Sequence, residues 1–228
     1  MSGAPYIKVS KNGPYIVYGP LPVALETIET NDEGGSWDWK RGRSFEVRDR
    51  FALCRCGHSS SKPFCDGTHA RIGFDGTEVA SRLPYSEQAG EIDGATLTLQ
   101  DAEPLCAYAR FCDVAGTIWA LVEQSDSHSA RDLTIREAAH CPSGRLVVRD
   151  KKSGKTLEPE FEPSIGVVED PSQNCSGPLW VRGAIRVESA DGTSYEVRNR
   201  VALCRCGESA NKPFCDGKHA EIGFKDGL

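Results

Sequence analysis

The chain has 228 residues, a formal net charge of −6 and ten cysteines. Its acidic balance and scattered Lys and Arg residues give no reason to expect nucleic-acid binding. No stretch approaches the roughly 18 uninterrupted apolar residues of a membrane helix. The start of the chain shows no secretory signal, so we expect a cytoplasmic protein without membrane attachment, in which the thiols stay reduced.

The first third of the chain is predicted to form short strands. Runs of β-branched and aromatic residues occupy positions 6–10 and 15–19, and the Asn12-Gly13-Pro14 string between them is a turn signal.

Four potential metal ligands then follow within 16 residues: Cys54, Cys56, Cys65 and His69. The first two share a tight Cys-Arg-Cys-Gly turn. Asp66 is a good N-cap for a helix, which would place Cys65 and His69 on a common side of its first turn. The positive end of that helix would favour an anionic metal centre.

The middle segment, residues 81–170, differs in character. Residues 95–99 alternate as in a strand, residues 130–140 form the best helix candidate in the chain, and residues 146–148 are a further short strand. We therefore expect a small mixed insert.

The metal-binding pattern recurs near the C-terminus. Residues 194–224 match residues 44–74 at 23 of 31 positions without a gap, and the ligand types persist at Cys204, Cys206, Cys215 and His219. Position 58 is His in the first copy and position 208 is Glu in the second, which argues against His58 as a ligand. Further upstream, Gly19-Pro20-Leu21 matches Gly177-Pro178-Leu179, so the repeat is predicted to extend beyond the ligands.

Three cysteines and one histidine are compatible with two kinds of site. A tetrahedral zinc ion would staple a domain too small to hold a core. Zinc sites usually present Cys-x2-Cys pairs, however, whereas here the first pair is Cys-x-Cys. A two-iron cluster spreads its ligands over two metals, and a close cysteine pair with a separate Cys/His pair fits that arrangement better.

The string C-x-C-x2-S-x3-P-x-C-D-G-x-H, with Ser59 and Ser209 at its serine position, resembles the CDGSH iron–sulfur domain family. The resemblance covers about 40 residues per copy and implies a 2Fe–2S cluster in each. It assigns Cys54 and Cys56 to the inner iron and Cys65 and His69 to the outer iron. In the second copy Cys204, Cys206, Cys215 and His219 repeat that arrangement. Family members of the outer mitochondrial membrane are anchored homodimers. This chain lacks the anchor and carries both halves, so a monomer with internal pseudo-two-fold symmetry is expected.

The middle segment is similar to divergent one-cluster ferredoxins, in which a distant Cys-Pro completes the ligand set. Cys106 and Cys112 are spaced as C-x5-C, Cys141 precedes Pro142, and the central ligand position is Ala109. A third cluster at Cys106, Cys112 and Cys141 would be of the 3Fe–4S type, or 4Fe–4S if Cys175 supplies a fourth ligand. Buried free cysteines without a cluster are the alternative.

The sequence as a whole predicts a mainly β protein with few short helices, in which two CDGSH-type β units form a pseudo-dimer within the chain. The expected domains are residues 1–80, the insert 81–170 and residues 171–228. Nothing resembles a catalytic triad, a phosphate loop or a paired-carboxylate site, so an enzyme is not expected. The predicted role is one-electron transfer or transfer of labile clusters to an unidentified redox or acceptor protein. A zinc-stapled interaction module and an electron-delivering subunit of a larger oxidoreductase are the alternatives.

Overall fold

The computed structural model describes residues 4–228; residues 1–3, which belong to the start of the chain considered above, lie outside the described residues. Within that range the protein is mainly β, with twelve strands in three sheets and five short α-helices. The predicted fold class is thereby confirmed. No helix of residues 4–228 is both long and apolar enough to cross a membrane.

The secondary structure falls into three consecutive groups. The first half of the repeat comprises β1 (Tyr6–Val9), β2 (Tyr15–Tyr18), β3 (Val23–Thr30), β4 (Ser36–Phe45), β5 (Arg50–Leu53) and α1 (Thr68–Arg71). The middle segment comprises α2 (Tyr85–Gln88), β6 (Gly90–Asp93), β7 (Leu97–Asp101), α3 (Ile118–Glu123), α4 (His128–His140) and β8 (Leu146–Asp150), with 3-10 turns at Glu103–Leu105 and Phe111–Asp113. The second half comprises β9 (Ser164–Asp170), a 3-10 turn at Pro171–Gln173, β10 (Cys175–Arg182), β11 (Arg186–Glu188), β12 (Arg200–Leu203) and α5 (Lys218–Glu221).

The two halves exchange strands. One sheet has the order β11-β1-β2-β5 and the other β12-β10-β9-β3-β4. The first therefore contains β11 of the second half, and the other contains β3 and β4 of the first half. Ile7 of β1 pairs in parallel with Val187 of β11, and Ile165 of β9 pairs in parallel with Val23 of β3. The two pairings are the same contact with the roles of the halves exchanged, as an approximate two-fold axis between the halves requires. The predicted pseudo-dimer is thereby confirmed.

The strand register shows which residues upstream of the ligands are equivalent in the two halves, and it differs from the sequence prediction. Tyr15 pairs with Leu53, and Leu179 pairs with Leu203. Because Leu53 and Leu203 are equivalent, Tyr15 corresponds to Leu179, and Gly19 corresponds to Gly183. The predicted match of Gly19 with Gly177 is therefore wrong.

One hydrophobic core serves both halves. β1 and β2 bury alternate residues completely, as expected for strands with one face toward a core. The residues that meet there from both halves include Ile7, Val9, Val17, Leu53, Ile165, Leu179, Val181 and Leu203. Each fully buried aliphatic side chain of this kind contributes roughly 1.5–3 kcal/mol, so neither half would retain its core alone.

The middle segment has its own sheet, in the order β6-β7-β8, with α3 and α4 packed on it. Its predicted helix and strands are confirmed as α4, β7 and β8. β9 lies in the five-stranded sheet of the repeat, while the domain boundaries stay a prediction.

Candidate metal centre

The first copy holds its four candidate ligands as two close pairs. Cys54 and Cys56 follow β5, and their Sγ atoms are 3.9 Å apart. The Sγ atom of Cys65 lies 3.3 Å from Nδ1 of His69 in α1. The loop between the pairs folds back on β5, because the amide of Cys54 donates to the carbonyl of Pro63 and that of Cys65 to the carbonyl of Ala52.

Asp66 fixes the loop that carries the Cys65–His69 pair. One carboxylate oxygen accepts the amide of Thr68 at 2.9 Å, which is the predicted contact. The N-cap of α1 is Gly67, however, so the prediction that Asp66 caps the helix is wrong by one residue. The other carboxylate oxygen accepts the amide and the hydroxyl of Ser60, at 2.9 and 2.7 Å. These hydrogen bonds, those from Ser60 first, hold the pKa of the Asp66 carboxyl well below its usual range.

The second copy repeats this arrangement. The Sγ atoms of Cys204 and Cys206 are 3.7 Å apart, and Cys215 Sγ lies 3.3 Å from His219 Nδ1. Asp216 accepts the amides of Ala210 and Lys218. The serines of the motif, Ser59 and Ser209, donate to the carbonyls of Phe64 and Phe214.

Burial disfavours free thiolates at three of these positions, whereas the neighbouring Cys206 lowers the pKa of the Cys204 thiol. Burial raises the pKa of the Cys65 thiol, raises that of Cys56 to about 11, and raises that of Cys215 well above its usual value. A cation that binds the sulfur atoms would supply the charge that water does not. The donor set therefore fits a metal centre.

The donors of each copy form two close pairs, one Cys/Cys and one Cys/His. In a tetrahedral zinc site all four ligand atoms bind one metal, whereas a two-iron cluster divides its ligands between two metals. The paired donors are compatible with the second arrangement.

Comparison with known families agrees with this reading. The family model described as "Iron-binding zinc finger CDGSH type" matches residues 12–70 and 176–220. Both copies of the repeat are thus similar to the CDGSH family. A second family model, described as a divergent 4Fe-4S mono-cluster, matches residues 92–151 between them. CDGSH domains bind iron–sulfur clusters, so the chain is an iron–sulfur protein. No curated protein and no solved structure matches it.

The two CDGSH turns touch each other across the pseudo-two-fold axis. A β-carbon built on Gly207 would lie 2.7 Å from the carbonyl oxygen of Cys56, and one on Gly57 would overlap the carbonyl of Cys206. Both glycines have positive φ values, so the turns need glycine for their conformation as well as for space. The sequence showed these glycines only as part of the repeat and gave no sign of the contact.

A buried arginine follows the first cysteine in each CDGSH domain. The guanidinium of Arg55 donates to the carbonyl of Gly76 at 2.6 Å, and that of Arg205 to Val168 and Glu169. Arg205 also pairs with Asp226 and lies close enough to Cys54 and Cys206 to interact with their charge. Both arginines anchor the chain beyond each helix, and Arg205 also places positive charge near the sulfur atoms.

The three cysteines of the middle segment lie near one another. Burial, followed by the neighbouring Cys141 and Cys106, raises the pKa of the Cys112 thiol to about 12. Ala109, at the central position of the ferredoxin pattern, packs with Phe111 in an apolar cluster and offers no ligand. Cys175 lies in β10, where its thiol interacts with Asp170 and Arg110. All ten cysteines are free of disulfides.

Proposed function

We propose that each CDGSH domain holds one 2Fe–2S cluster and that the protein carries single electrons or passes labile clusters to an acceptor. The proposed ligands are Cys54, Cys56, Cys65 and His69 in the first domain and Cys204, Cys206, Cys215 and His219 in the second. The observation that carries the proposal is the division of each donor set into a Cys/Cys pair and a Cys/His pair.

When bound, a 2Fe–2S cluster supplies reversible one-electron chemistry. The chain's own residues hold its ligands in place: Asp66 and Ser59 order the first ligand loop, and Asp216 and Ser209 order the second. A histidine in each set replaces one thiolate with a neutral ligand, which raises the reduction potential and lowers the negative charge of the site. This donor set suits a carrier, and we assign the protein that role rather than an enzymatic one.

The partner would be a redox protein or a cluster acceptor, and the carrier would act as a monomer. Iron, sulfide and zinc analysis with a visible spectrum of the purified chain tests the assignment. We expect a red-brown protein with about four irons and four sulfides per chain from two clusters. About one zinc per domain with no visible band would support the zinc-stapled module instead.

A third centre in the middle segment is a second proposal. It is supported by the match over residues 92–151 and by the proximity of Cys106, Cys112 and Cys141. Three thiols without a donor at Ala109 suit a 3Fe–4S centre better than a four-iron one. Replacing Cys112 with serine should then remove about three irons per chain and leave about four. An unchanged iron content would contradict the third centre.

The electron-delivering subunit of a larger oxidoreductase is the remaining alternative. It predicts a stable complex with an oxidoreductase when the chain is purified from its native source, which size-exclusion chromatography would detect.

A further inference from the structure

The two CDGSH domains have the same ligands but different access to solvent. In the second domain Cys215 is 2% exposed and His219 is 4% exposed. In the first domain the equivalent Cys65 and His69 are only half-buried. Because the motifs are nearly identical, the difference comes from what packs against them.

The loop between Cys106 and Phe111 covers the second site. A β-carbon built on Gly217 would lie 3.0 Å from Cβ of Tyr108 and 3.5 Å from the carbonyl oxygen of Cys106. Ala107 packs directly into a buried cluster with Cys215. The loop is held to the sheet because Arg110 pairs with Asp170 at 2.6 Å.

The equivalent side of the first site is open. A β-carbon on Gly67, the counterpart of Gly217, would have no neighbour within 4 Å. The nearest segment is the β1–β2 turn, where a β-carbon on Gly13 would lie 3.6 Å from Nε2 of His69. Cys65 and His69 remain half-buried beside that turn, so an outside molecule can approach the first Cys/His pair.

The charge around the open site also differs. The exposed Glu208 and Glu221 of the second domain are replaced by the exposed His58 and Arg71 in the first. Lys11, on the turn beside His69, is exposed as well. Lys218, which pairs with Glu221, is Thr68 in the first domain. The first domain thus lacks two acidic side chains and one lysine of the second and has an imidazole and an arginine instead, so the surface around its ligands is less acidic.

We propose that the first domain alone hands its cluster to an acceptor protein, which docks around His69 through an acidic surface, while the second domain retains its cluster. This inference rests on the proposed function. The exchange is ligand substitution with no net electron transfer: thiols of the acceptor replace Cys54, Cys56, Cys65 and His69 on iron. The protons released by the acceptor's thiols pass to the departing cysteine thiolates and to solvent. Such substitution needs direct contact with the ligands, which the Cys106–Phe111 loop denies to the second site.

Timed alkylation of the cluster-loaded chain tests the difference in access. A strong iron chelator is added, samples are pulsed with N-ethylmaleimide, and the labelling of Cys65 and Cys215 is followed by mass spectrometry. We expect Cys65 to become labelled about ten-fold faster than Cys215, because thiol reactions depend on access. Equal rates in a chain that contains four irons would overturn the inference and leave the proposed function intact. A chain without iron would instead refute the proposed function.

Tyr108→Gly tests the covering loop itself. Tyr108 has a φ of 55°, a conformation that glycine adopts freely, so this variant should keep the loop backbone while it removes the side chain. Labelling of Cys215 should become several-fold faster and approach the labelling rate of Cys65, which itself should not change. Ala184→Gly relieves a similar positive φ at an exposed position and is the matched control. An unaltered Cys215 rate in Tyr108→Gly would contradict the role of the loop.

Two synthetic dithiol peptides, one rich in Glu and one rich in Lys, test the charge of the partner. At low ionic strength the acidic peptide should remove the first cluster faster than the basic one. The double variant His58→Glu, Arg71→Glu introduces the two acidic side chains of the second domain and should abolish that preference while its iron content stays the same. Equal removal by both peptides from the unmodified chain would rule out an acidic partner surface.

Discussion

The hydroxyl oxygen of Tyr15 lies 2.8 Å from the carbonyl oxygen of Cys204, although 189 residues separate them in the chain. The same hydroxyl is 3.0 Å from the carbonyl of Pro213. Burial raises the pKa of Tyr15 well above its usual value, so the hydroxyl stays protonated and able to donate. Leu179 occupies the equivalent position of the second half, so this support runs in one direction, from the first half to the ligand loop of the second CDGSH domain.

Tyr15→Phe should therefore destabilise the protein by about 1–2 kcal/mol, because the buried carbonyl of Cys204 loses this donor while the aromatic packing remains. The carbonyl of Pro213 still accepts the amide of Cys204. The change would be measured as a lower midpoint of chemical unfolding for the cluster-loaded chain. Tyr6→Phe is the control, since Tyr6 is half-buried and stacks on Tyr18. Equal midpoints for the two variants would show that the Tyr15 hydroxyl contributes nothing.

Gly57→Ala should be more damaging than an ordinary glycine replacement. Gly57 has a φ of 78° and its added β-carbon would overlap the backbone of Cys206. Gly192 has a φ of 90° and open space around it, so Gly192→Ala measures the conformational cost alone. We expect about 1–2 kcal/mol for Gly192→Ala and clearly more for Gly57→Ala. Comparable unfolding midpoints would mean that the two CDGSH turns can separate at little cost.

Much of each CDGSH site could be predicted from the sequence because its chemistry is local. Cys54, Cys56, Cys65 and His69 lie within 16 residues, and the turn and helix-start signals between them act over a few residues. The repeat presents the same ligand spacing twice within one chain. The pseudo-dimer followed from the family resemblance together with the presence of both halves.

The strand exchange and the covering of the second site could not be predicted in the same way. The pairing of Ile7 with Val187 depends on contacts between distant segments, and nothing local distinguishes it from a pairing within one half. The Gly-Pro-Leu match was wrong because Gly177-Pro178-Leu179 lies within β10, whereas Gly19-Pro20-Leu21 lies between β2 and β3. Tyr108 carries no sequence signal for its position over Gly217, since packing alone places it there.

Glu137 should make the stability of the protein depend on pH. It is buried in α4, one carboxylate oxygen has no hydrogen-bond partner among the described residues, and burial raises its pKa to about 7. The neighbouring Asp113 raises the pKa further and Arg136 lowers it. Because the folded-state pKa lies above the usual 4.5, this group lowers the free energy of unfolding as the pH rises from about 4.5 to 7.

Glu137→Gln removes this titration. The variant should match the unmodified protein at about pH 5 and exceed its stability by on the order of 2 kcal/mol at about pH 8. Unfolding midpoints at the two pH values measure the effect, and the exposed Glu123→Gln on α3 is the control. A gain of the same size at both pH values would place the cause in packing and not in ionisation.

Replacing either histidine ligand with cysteine should lower the reduction potential of one cluster only. A thiolate ligand carries a negative charge, whereas an imidazole ligand is neutral. The added negative charge stabilises the oxidised cluster relative to the reduced one and so lowers the reduction potential. Redox titration of His69→Cys, His219→Cys and the double variant, followed by visible absorption, should show one component move in each single variant and both in the double. We expect downward shifts on the order of 100 mV or more.

His58→Cys is the control, because it adds a thiol to the same loop at a position that the second domain fills with Glu208. This variant should leave both potentials unchanged. Potentials that stay fixed when His69 or His219 is replaced would mean that the imidazoles do not bind iron, and the ligand sets proposed here would have to be abandoned.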